Sequence, residues 1–483
     1  MRVAAAILCA ALLAAVPIHG QDQWSLVRTE NLTIVGDQPG TRLRDIGLQL
    51  EAFRLAVGQS FSNASRPPAL PTIVVVIGTR RGMQRYLPPE MASSSAVAGY
   101  FRQDRDANRI VLSLEGFSQS PEVAYHEYTH LLLRGTLTSP PQWLEEGIAE
   151  YYGTYRTSPD GREVSVGRLT TASAALLRRP WMPIADLITF SGGATTLAHD
   201  NAAASAFYNE AAMLVHYILT RVGGGAAINR YLTLLTEGRG PGDAFEEAFG
   251  LAPGEMDERL RGYIARGEFA SRAIRLPGAA AGAGAPVTLT PGETRAWQGE
   301  IQRSVGWPEG AGDVEAAAIM EPESAMVQLL LGRTRLATGD LRGGHAALTV
   351  AADTAPTDFM AQFWKGFWFV RAGAPADEAT AAVRALRRAV RIRPRSADAH
   401  ALLADALVAA SEPVAGARRA IDAAIAIAPE RLEFTLKQAE IMIRQGQLDA
   451  ARGVLTALAG VSNDPPLAAR AEALLNTLDQ RSR

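Results

Sequence analysis

Residues 123–133 read VAYHEYTHLLL and carry two histidines at helical spacing. On an α-helix, His126 and His130 project from the same face, at the separation that two nitrogen ligands of one tetrahedral Zn²⁺ require. Glu127 lies beside them and can reach a metal-bound water. The stretch therefore predicts a metal-binding helix with a general base next to the ligands.

The residues around this stretch favour a helix with defined ends. Ser120 is a typical N-cap, Pro121 suits the first helical position, and Glu122 complements the positive end of the helix dipole. Gly135 follows the last apolar turn, as is common after a helix. The two histidines are thus expected in the middle of a rigid element.

A third ligand is expected from the next helix. Residues 142–152 read QWLEEGIAEYY, and a helix over this stretch can return antiparallel to the first one. Glu146 and Glu150 are one turn apart, so one carboxylate can face a metal while the other faces a histidine ring. Glu146 precedes Gly147, a small residue that suits close helix approach, whereas Glu145 is interpreted as part of a solvated face.

The two motifs together resemble a known family. His-Glu-x-x-His followed by Trp-Leu-Glu-Glu-Gly-Ile-Ala-Glu-Tyr is similar to the zinc metallopeptidases of the thermolysin-like (gluzincin) clan, most closely its bacterial peptidase-MA-like branch. The resemblance covers roughly the first half of the chain and implies an α+β zincin-like metallopeptidase domain. It also implies that Glu146 is the third zinc ligand and that Glu150 orients a ligand histidine.

The implied site would be catalytic. His126, His130 and Glu146 leave one position of a tetrahedral metal for water, which is typical of a catalytic zinc. One Zn²⁺ per chain is the predicted cofactor, because a nitrogen-rich ligand set with one carboxylate favours zinc. Zinc would lower the pKa of its water from about 16 towards 7, and Glu127 would accept the proton and pass it to the leaving amine.

The resemblance also implies a downstream Tyr or His that stabilises the oxyanion. Tyr208 is the preferred candidate for this catalytic role, with Tyr217, Tyr231 and His199 as alternatives. His216 lies in an apolar helical stripe and is interpreted as a core residue rather than a metal ligand.

A β-sheet is predicted before the metal helix. Residues 72–77 are an apolar β-branched run and are interpreted as a buried central strand. Residues 96–101 and 109–114 flank a polar connector and predict a hairpin. By the resemblance, an edge strand near the zinc aligns the substrate backbone by main-chain hydrogen bonds, although a purely structural hairpin fits equally well. The candidate substrate-binding residues are Ala98, Gly99 and Tyr100.

The start of the chain predicts export. Residues 1–20 combine a charged start, an apolar run and small residues, as a signal peptide does, so the bacterial protein is expected in the periplasm or secreted. No later stretch predicts a membrane span, and Cys9, the only cysteine, lies within this leader. A net charge of −2 gives no electrostatic case for binding nucleic acid or an anionic membrane.

The rest of the chain divides into further segments. Residues 21–135 are predicted as an α/β N-terminal lobe and residues 136–270 as a helical lobe of the peptidase domain. Residues 271–316 are predicted as a linker and irregular segment, because they contain a run rich in Gly, Ala and Pro.

Residues 317–483 predict an all-α solenoid. Helix pairs recur there with small residues at the expected crossings, and prolines close the units at nearly constant spacing, namely Pro356, Pro394, Pro429 and Pro465. This pattern resembles the tetratricopeptide repeat, with a capping helix over residues 467–478.

Two functions follow from these features. The first is an exported zinc metallopeptidase that acts on a protein or peptide substrate, with repeats that recruit the substrate or a protein partner. The alternative is a catalytically inactive peptidase-like platform whose repeats act as a protein-binding scaffold. The joint presence of His126, Glu127, His130 and Glu146 favours the enzyme, since an inactive relic would have no reason to retain Glu127.

Overall fold

The computed structural model describes most of the chain after the predicted leader. The described residues are 23–61, 68, 70–92, 97, 99–119, 121–134, 140–158, 163–168, 181–190, 201–267, 269, 271–276, 282–372, 378–429, 431–460 and 465–481. The predicted signal peptide lies outside them, as do the predicted capping residues Ser120 and Gly135, the candidate Ala98 and the alternative His199.

Nine strands within the described residues form two sheets. The strands are β1 Ser25–Arg28, β2 Leu32–Gly36, β3 Thr72–Ile77, β4 Gly99–Gln103, β5 Asn108–Ser113, β6 Arg156–Thr157, β7 Glu163–Val166, β8 Arg272–Arg275 and β9 Val287–Thr288. The larger sheet has the order β4-β5-β3-β2-β1-β9, and the smaller one has the order β6-β7-β8.

The larger sheet is mixed and is organised around β3. This strand pairs in parallel with β2, where Val75 lies opposite Val35, and with β5, where Val75 lies opposite Val111. Every residue of β3 is buried, as a run of β-branched residues covered on both faces should be. The predicted central strand and the predicted hairpin are confirmed, because β4 pairs antiparallel with β5 and Tyr100 lies opposite Val111.

Helices accompany the sheets in the first half of the chain. Those described are α1 Gly40–Gly58, α2 Arg80–Met83, α3 Leu114–Gln119, α4 Pro121–Arg134, α5 Gln142–Gly153, α6 Ile184–Thr189, α7 Asn201–Tyr217, α8 Gly224–Thr236, α9 Pro241–Phe249 and α10 Pro253–Arg266. A π-helical turn, Ile218–Val222, joins α7 to α8. Residues 136–270 are therefore mainly helical, as predicted, except that they also contain β6 and β7.

From residue 291 onward, the described elements are all helices. These helices are α11 Pro291–Ser304, α12 Glu309–Met320, α13 Ala325–Thr338, α14 Leu341–Thr354, α15 Phe359–Ala372, α16 Ala379–Ile392, α17 Ala397–Ala409, α18 Val414–Ile427, α19 Leu432–Arg444, α20 Leu448–Ala459 and α21 Pro465–Arg481. The four pairs from α13 to α20 follow the predicted repeat period, and α21 covers the predicted capping helix.

The prediction of an irregular segment over residues 271–316 is wrong. This segment contains β8, β9 and the helix pair α11–α12, so the helical region begins before residue 317. The start of α11 is strongly encoded, because the Thr290 hydroxyl accepts a hydrogen bond from Glu293 N at 3.2 Å and Glu293 Oε2 accepts one from Thr290 N at 3.1 Å. Pro291 occupies the first helical turn, where a missing N–H costs nothing.

The helical region packs directly on the sheet. On β3, Val74 and Val76 belong to the core shared with α1, α4 and the helices around the candidate site. Ile73, Val75 and Ile77 belong to a second core that continues through α11 and the repeats as far as α19. The sheet is thus the middle layer between the two halves of the molecule.

Within the described residues, no single helix is long and apolar enough to cross a membrane. One bent pair, Ala206–Val222 with Gly224–Thr236 at 114°, meets the length and composition criteria together.

Candidate metal centre

Helix α4, which carries both histidines, runs antiparallel to helix α5 and in close contact with it. The successive α4 residues Glu122, His126 and His130 lie against residues of α5 that follow one another in reverse sequence order. Gly153 allows the close approach at one end, since a Cβ there would lie 3.3 Å from Glu122 O and 3.7 Å from His126 Cβ. This arrangement carries the carboxylates of α5 to the histidines of α4.

Three side chains converge between these helices. His126 Nε2 lies 3.1 Å from His130 Nε2 and 3.4 Å from Glu146 Oε2, and His130 Nε2 lies 3.5 Å from the same oxygen. Among the described residues, this is the one group of His, Cys, Asp and Glu side chains with ligand atoms near enough to hold a single metal ion. All three side chains are partly buried.

The three distances fit a zinc ion. Zinc bonds of about 2.0–2.2 Å in a tetrahedron require ligand atoms about 3.3–3.6 Å apart, and the three observed separations lie close to that range. The donors are two imidazole nitrogens and one carboxylate oxygen, a set that suits a borderline metal such as zinc. The residues present therefore fit the metal that the sequence predicts.

Each histidine is also contacted by a carboxylate through its other ring nitrogen. Glu150 Oε1 lies 3.3 Å from His126 Nδ1, as the resemblance implies. Glu145 Oε1 lies 3.1 Å from His130 Nδ1, so the interpretation of Glu145 as a solvated residue is wrong. Such contacts favour the tautomer that leaves Nε2 free as a ligand.

The electrostatics of the cluster favour positive charge between the helices. Burial lowers the pKa of His126, but hydrogen bonds to Glu146 and Glu150 outweigh it and raise that pKa to about 10. Burial likewise lowers the pKa of His130, whereas Glu145 and Glu146 raise it to about 9. Burial raises the pKa of Glu146, yet the two histidines lower it to about 2. A divalent cation would occupy a position where the protein already stabilises positive charge.

Glu127 and Tyr208 both lie near this cluster. Glu127 is half-buried and has no hydrogen-bond or ion-pair partner in the part of the chain described. Burial raises the pKa of Tyr208, and the negative charges of Glu146, Glu150 and Glu127 raise it further. Tyr208 is therefore near the three carboxylates and stays a neutral phenol.

The two other tyrosine candidates, Tyr217 and Tyr231, contact residues outside the cluster. Tyr231 is fully buried beside Trp143 and Phe245, and Tyr217 contacts Tyr263 with a ring separation of 5.1 Å. Tyr208 is thus the one described candidate whose charge environment includes the cluster.

A close helix crossing brings Tyr208 to the site. A Cβ on Gly147 would lie 2.5 Å from Ala211 O and 2.7 Å from Val215 Cγ2, so glycine is what permits α5 and α7 to touch. Tyr208 is one turn before Ala211 on α7, and Glu146 adjoins Gly147 on α5. The expected need for a small residue beside Glu146 is confirmed.

The strand β4 is the edge of the large sheet and neighbours α4. Of the candidate substrate-binding residues, Gly99 and Tyr100 begin this strand. The Tyr100 side chain is buried, and its hydroxyl donates to Tyr86 O at 2.6 Å, so only its backbone is available to a substrate.

His216 is a core residue, as predicted. It is buried, its Nε2 lies 2.9 Å from Gly167 O, and its Nδ1 lies 3.1 Å from the Tyr263 hydroxyl. Burial lowers its pKa, so the ring is neutral.

No protein-family model matches the chain, and no curated protein matches it. Several solved structures resemble part of it. MamA from Desulfovibrio magneticus RS-1 is 19% identical, with a TM-score of 0.32 over 36% of this chain and 97% of its own. YrrB, a TPR protein with an unusual peptide-binding site, is 13% identical, with a TM-score of 0.33 over 37% of this chain and 91% of its own.

A third similar structure is a thermophilic TPR protein, TTC0263 of Thermus thermophilus. It is 18% identical, with a TM-score of 0.29 over 38% of this chain and 98% of its own.

Proposed function

We propose that the chain is an exported, zinc-dependent metallopeptidase. The observation that carries the proposal is the spacing of His126 Nε2, His130 Nε2 and Glu146 Oε2, which lie 3.1–3.5 Å from one another. These separations are close to the edge length of a zinc tetrahedron, and a separate carboxylate contacts the other ring nitrogen of each imidazole, as is usual for metal-bound histidines. A catalytic rather than structural site is favoured by the three protein ligands, which leave one position open.

The roles of the chain's own residues follow from the geometry. His126, His130 and Glu146 would hold the zinc, which supplies Lewis-acid chemistry and an activated water when bound. Glu127, a carboxylate without another partner among the described residues, would accept a proton from the attacking water and deliver it to the leaving amine. Tyr208, kept neutral by its raised pKa, would donate a hydrogen bond to the developing oxyanion.

A peptide is the proposed substrate because an edge strand neighbours the metal helix. Strand β4 offers unpaired backbone groups along the edge that does not face β5. An extended peptide could pair with that edge and would be recognised through its main chain. Gly99 has no side chain that would block such pairing.

The test combines metal analysis with proteolysis. The mature chain should bind about one zinc after dialysis in metal-free buffer and should cleave a mixture of unstructured peptides. Glu127→Gln should retain the zinc and lose nearly all turnover, since it removes the base without removing a ligand. Glu146→Ala should lose the zinc itself.

Glu122→Gln is the matched control, because it makes the same change on the same helix at a side chain that pairs with Arg156 outside the cluster. It should keep both zinc and activity. Undiminished proteolysis by Glu127→Gln would exclude the proposed mechanism. A mature chain that takes up no zinc even when it is supplied would exclude the metallopeptidase altogether.

The second candidate function is a protein-binding scaffold. It is favoured by the run of stacked helix pairs from α13 to α20, an architecture that presents extended surfaces to partners. If the mature chain binds no zinc yet captures a defined protein partner, the scaffold function replaces the enzyme.

A further inference from the structure

A cavity of about 190 Å³ lies at the junction of the sheet and the helical repeats. None of the candidate metal-site residues lines it. One wall comes from the β1–β2 turn and the residues leading into β3, and the other from α15 and the connection between α16 and α17. A cavity of about 150 Å³ holds one benzene molecule, so this one can take an aromatic ring with a short substituent.

The repeat side of the cavity is an aromatic surface. Phe359 and Phe363 follow each other by one turn on α15, with ring centroids 5.4 Å apart and planes at 28°. Both side chains are held in the core, so the surface that faces the cavity is already formed. Leu70, Pro71 and Ile392 add apolar surface. The polar part of the lining consists of Glu30, Asn31, Arg393, Arg395 and Ser396.

A guanidinium without an ion-pair partner among the described residues lies beside this aromatic surface. The Arg393 guanidinium carbon is 4.3 Å from the centre of the Phe359 ring, and in the described part of the chain no carboxylate lies within ion-pair distance of it. The neighbouring Arg28, by contrast, pairs with Asp358 at 2.7 Å. Burial lowers the pKa of Arg393, and the charge of Arg28 lowers it further, whereas Asp358, Glu51 and Glu30 raise it without pairing directly with the guanidinium.

The opposite wall is fixed by a buried carboxylate. Glu51, on α1, is 1% exposed and accepts hydrogen bonds from Asn31 N and Asn31 Nδ2, both at 2.9 Å. It also accepts one from the Thr29 hydroxyl at 2.6 Å. Asn31 lines the cavity, so that wall needs no rearrangement to receive a ligand.

We propose that this cavity binds a small aromatic carboxylate, with the ring against Phe359 and Phe363 and the carboxylate paired with Arg393. The chemistry is the same whether the ligand is a free aromatic acid or the C-terminal residue of a peptide. The site is separate from the metal centre, and the proposal stands whether or not the chain is a peptidase.

The test is isothermal titration calorimetry on the full mature chain carrying Glu127→Gln, so that peptides are not consumed. The probes are phenylpropanoate and the tripeptide Gly-Gly-Phe, each beside its neutral amide. At least one carboxylate should bind, and its amide should bind about 10-fold more weakly or worse, since a hydrogen bond to a charged group is lost. If phenylpropanoate binds, the natural ligand is a free aromatic acid, whereas binding of Gly-Gly-Phe alone indicates the C-terminal residue of a peptide.

The variants test the role of Arg393 directly. Arg393→Gln should weaken binding of the carboxylate by about 10-fold or more and abolish the difference between acid and amide. Arg393→Lys should retain that difference in part. Arg391→Gln, the same change at an exposed position two residues earlier, should bind like the parent chain.

Thermal unfolding of each variant checks that it is folded. If Arg393→Gln is not folded, the proposal is tested by comparing acid and amide binding in Arg393→Lys and in the parent chain. The proposal is overturned if neither carboxylate binds at about 10 mM, a concentration that should detect a ligand of this size. It is equally overturned if acid and amide bind alike, or if a folded Arg393→Gln binds the acid as the parent does.

Discussion

Each histidine of the candidate metal centre contacts a different glutamate through Nδ1, and the two contacts differ in length and in exposure to solvent. Glu145 is 3.1 Å from His130 Nδ1 with 29% of its side chain exposed, whereas Glu150 is 3.3 Å from His126 Nδ1 with 44% exposed. Changing either residue to Gln removes the negative charge but keeps the size. We expect zinc affinity to fall about 10–100-fold in each variant, and further in Glu145→Gln because its contact is shorter and better shielded.

Zinc competition against a chelator of known affinity measures both variants, with Glu122→Gln as the control. Unchanged affinity in Glu145→Gln would mean that the glutamate merely neighbours His130 without orienting it. The sequence singles out Glu146 as the ligand, but nothing in it assigns Glu145 to His130. Glu145 and Glu146 are adjacent acidic residues, and only the packing of α5 on α4 decides that one meets Nδ1 and the other Nε2.

Glu210 should make stability depend on pH. Burial raises its carboxyl pKa from the ordinary 4.5 to about 7, although the N–H of Met182 donates to it at 3.0 Å and lowers that pKa. Because the folded-state pKa is the higher one, the native state holds a proton that the unfolded chain has released. The stability contributed by Glu210 is therefore complete below about pH 4.5 and is lost as the pH rises through about 7.

Glu210→Gln keeps a neutral side chain at every pH, so its free energy of unfolding should fall less than that of the parent between about pH 5 and pH 8. Urea unfolding of the metal-free proteins across that range gives the comparison. Glu246→Gln, a change at an exposed position of α9, should follow the parent. Parallel profiles for the parent and Glu210→Gln would show that Glu210 ionises normally in the fold.

At the scale of elements, the contact of α5 with α7 depends on one glycine. A methyl group on Gly147 would meet Ala211 O at 2.5 Å, and a backbone oxygen cannot rotate away as a side chain can. Gly147→Ala should therefore push the helices apart and cost about 1–3 kcal/mol in the free energy of unfolding. Because Glu146 and Tyr208 sit on either side of this crossing, zinc affinity should fall as well.

Gly453→Ala is the control, since a methyl group there would meet nothing within 4 Å in an exposed part of α20. It should raise stability by about 1 kcal/mol, because alanine favours helix over glycine. Urea unfolding and zinc titration report on both variants. A Gly147→Ala chain with parental stability and zinc affinity would mean that the helices can separate without disturbing the site.

Elements with a strong periodic pattern were predictable, and short ones were not. The buried run of β3 and the helix pairs from α13 to α20 appear in the structure where the sequence predicts them. Strands β6, β7 and β8 have two to four residues, too few for alternation to be recognised. Helix α11 was predictable from its start, because Thr290, Pro291 and Glu293 form a capping signature. Its apolar stripe is weak, so periodicity alone does not indicate a helix there.

At the scale of the whole molecule, buried charges join the sheet to the helical repeats. The guanidinium of Arg333, on α13, donates to both carboxylate oxygens of Asp106 at 2.7 and 2.9 Å, and Arg109 of β5 pairs with Glu300 of α11 at 2.8 Å. Arg333 also stacks 3.8 Å from the Trp364 ring. These partners are 191 and 227 positions apart in sequence, so no local pattern could reveal that the two halves share one core.

The shared core predicts that the sheet and the repeats unfold together, and that breaking the charge network uncouples them. Arg333→Met leaves Asp106 buried without its cation, which should cost about 3–5 kcal/mol. Tryptophan fluorescence and far-ultraviolet circular dichroism should give coincident urea transitions for the parent and separate ones for this variant.

Arg335→Met, on the same helix, removes partly exposed ion pairs with Glu315 at 2.6 Å and Asp340 at 3.9 Å. It should change stability by less than about 1 kcal/mol, with coincident transitions. Separate transitions already in the parent would mean that the repeats are an independent domain merely resting on the sheet. Coincident transitions in Arg333→Met would mean instead that the apolar core and the remaining ion pairs, such as Arg109 with Glu300, hold the halves together. If the transitions coincide in the parent and separate in Arg333→Met, the pair of Asp106 and Arg333 couples the repeats to the β4–β5 hairpin. That hairpin lies beside α4, so binding to the repeats could affect the candidate metal centre through this pair.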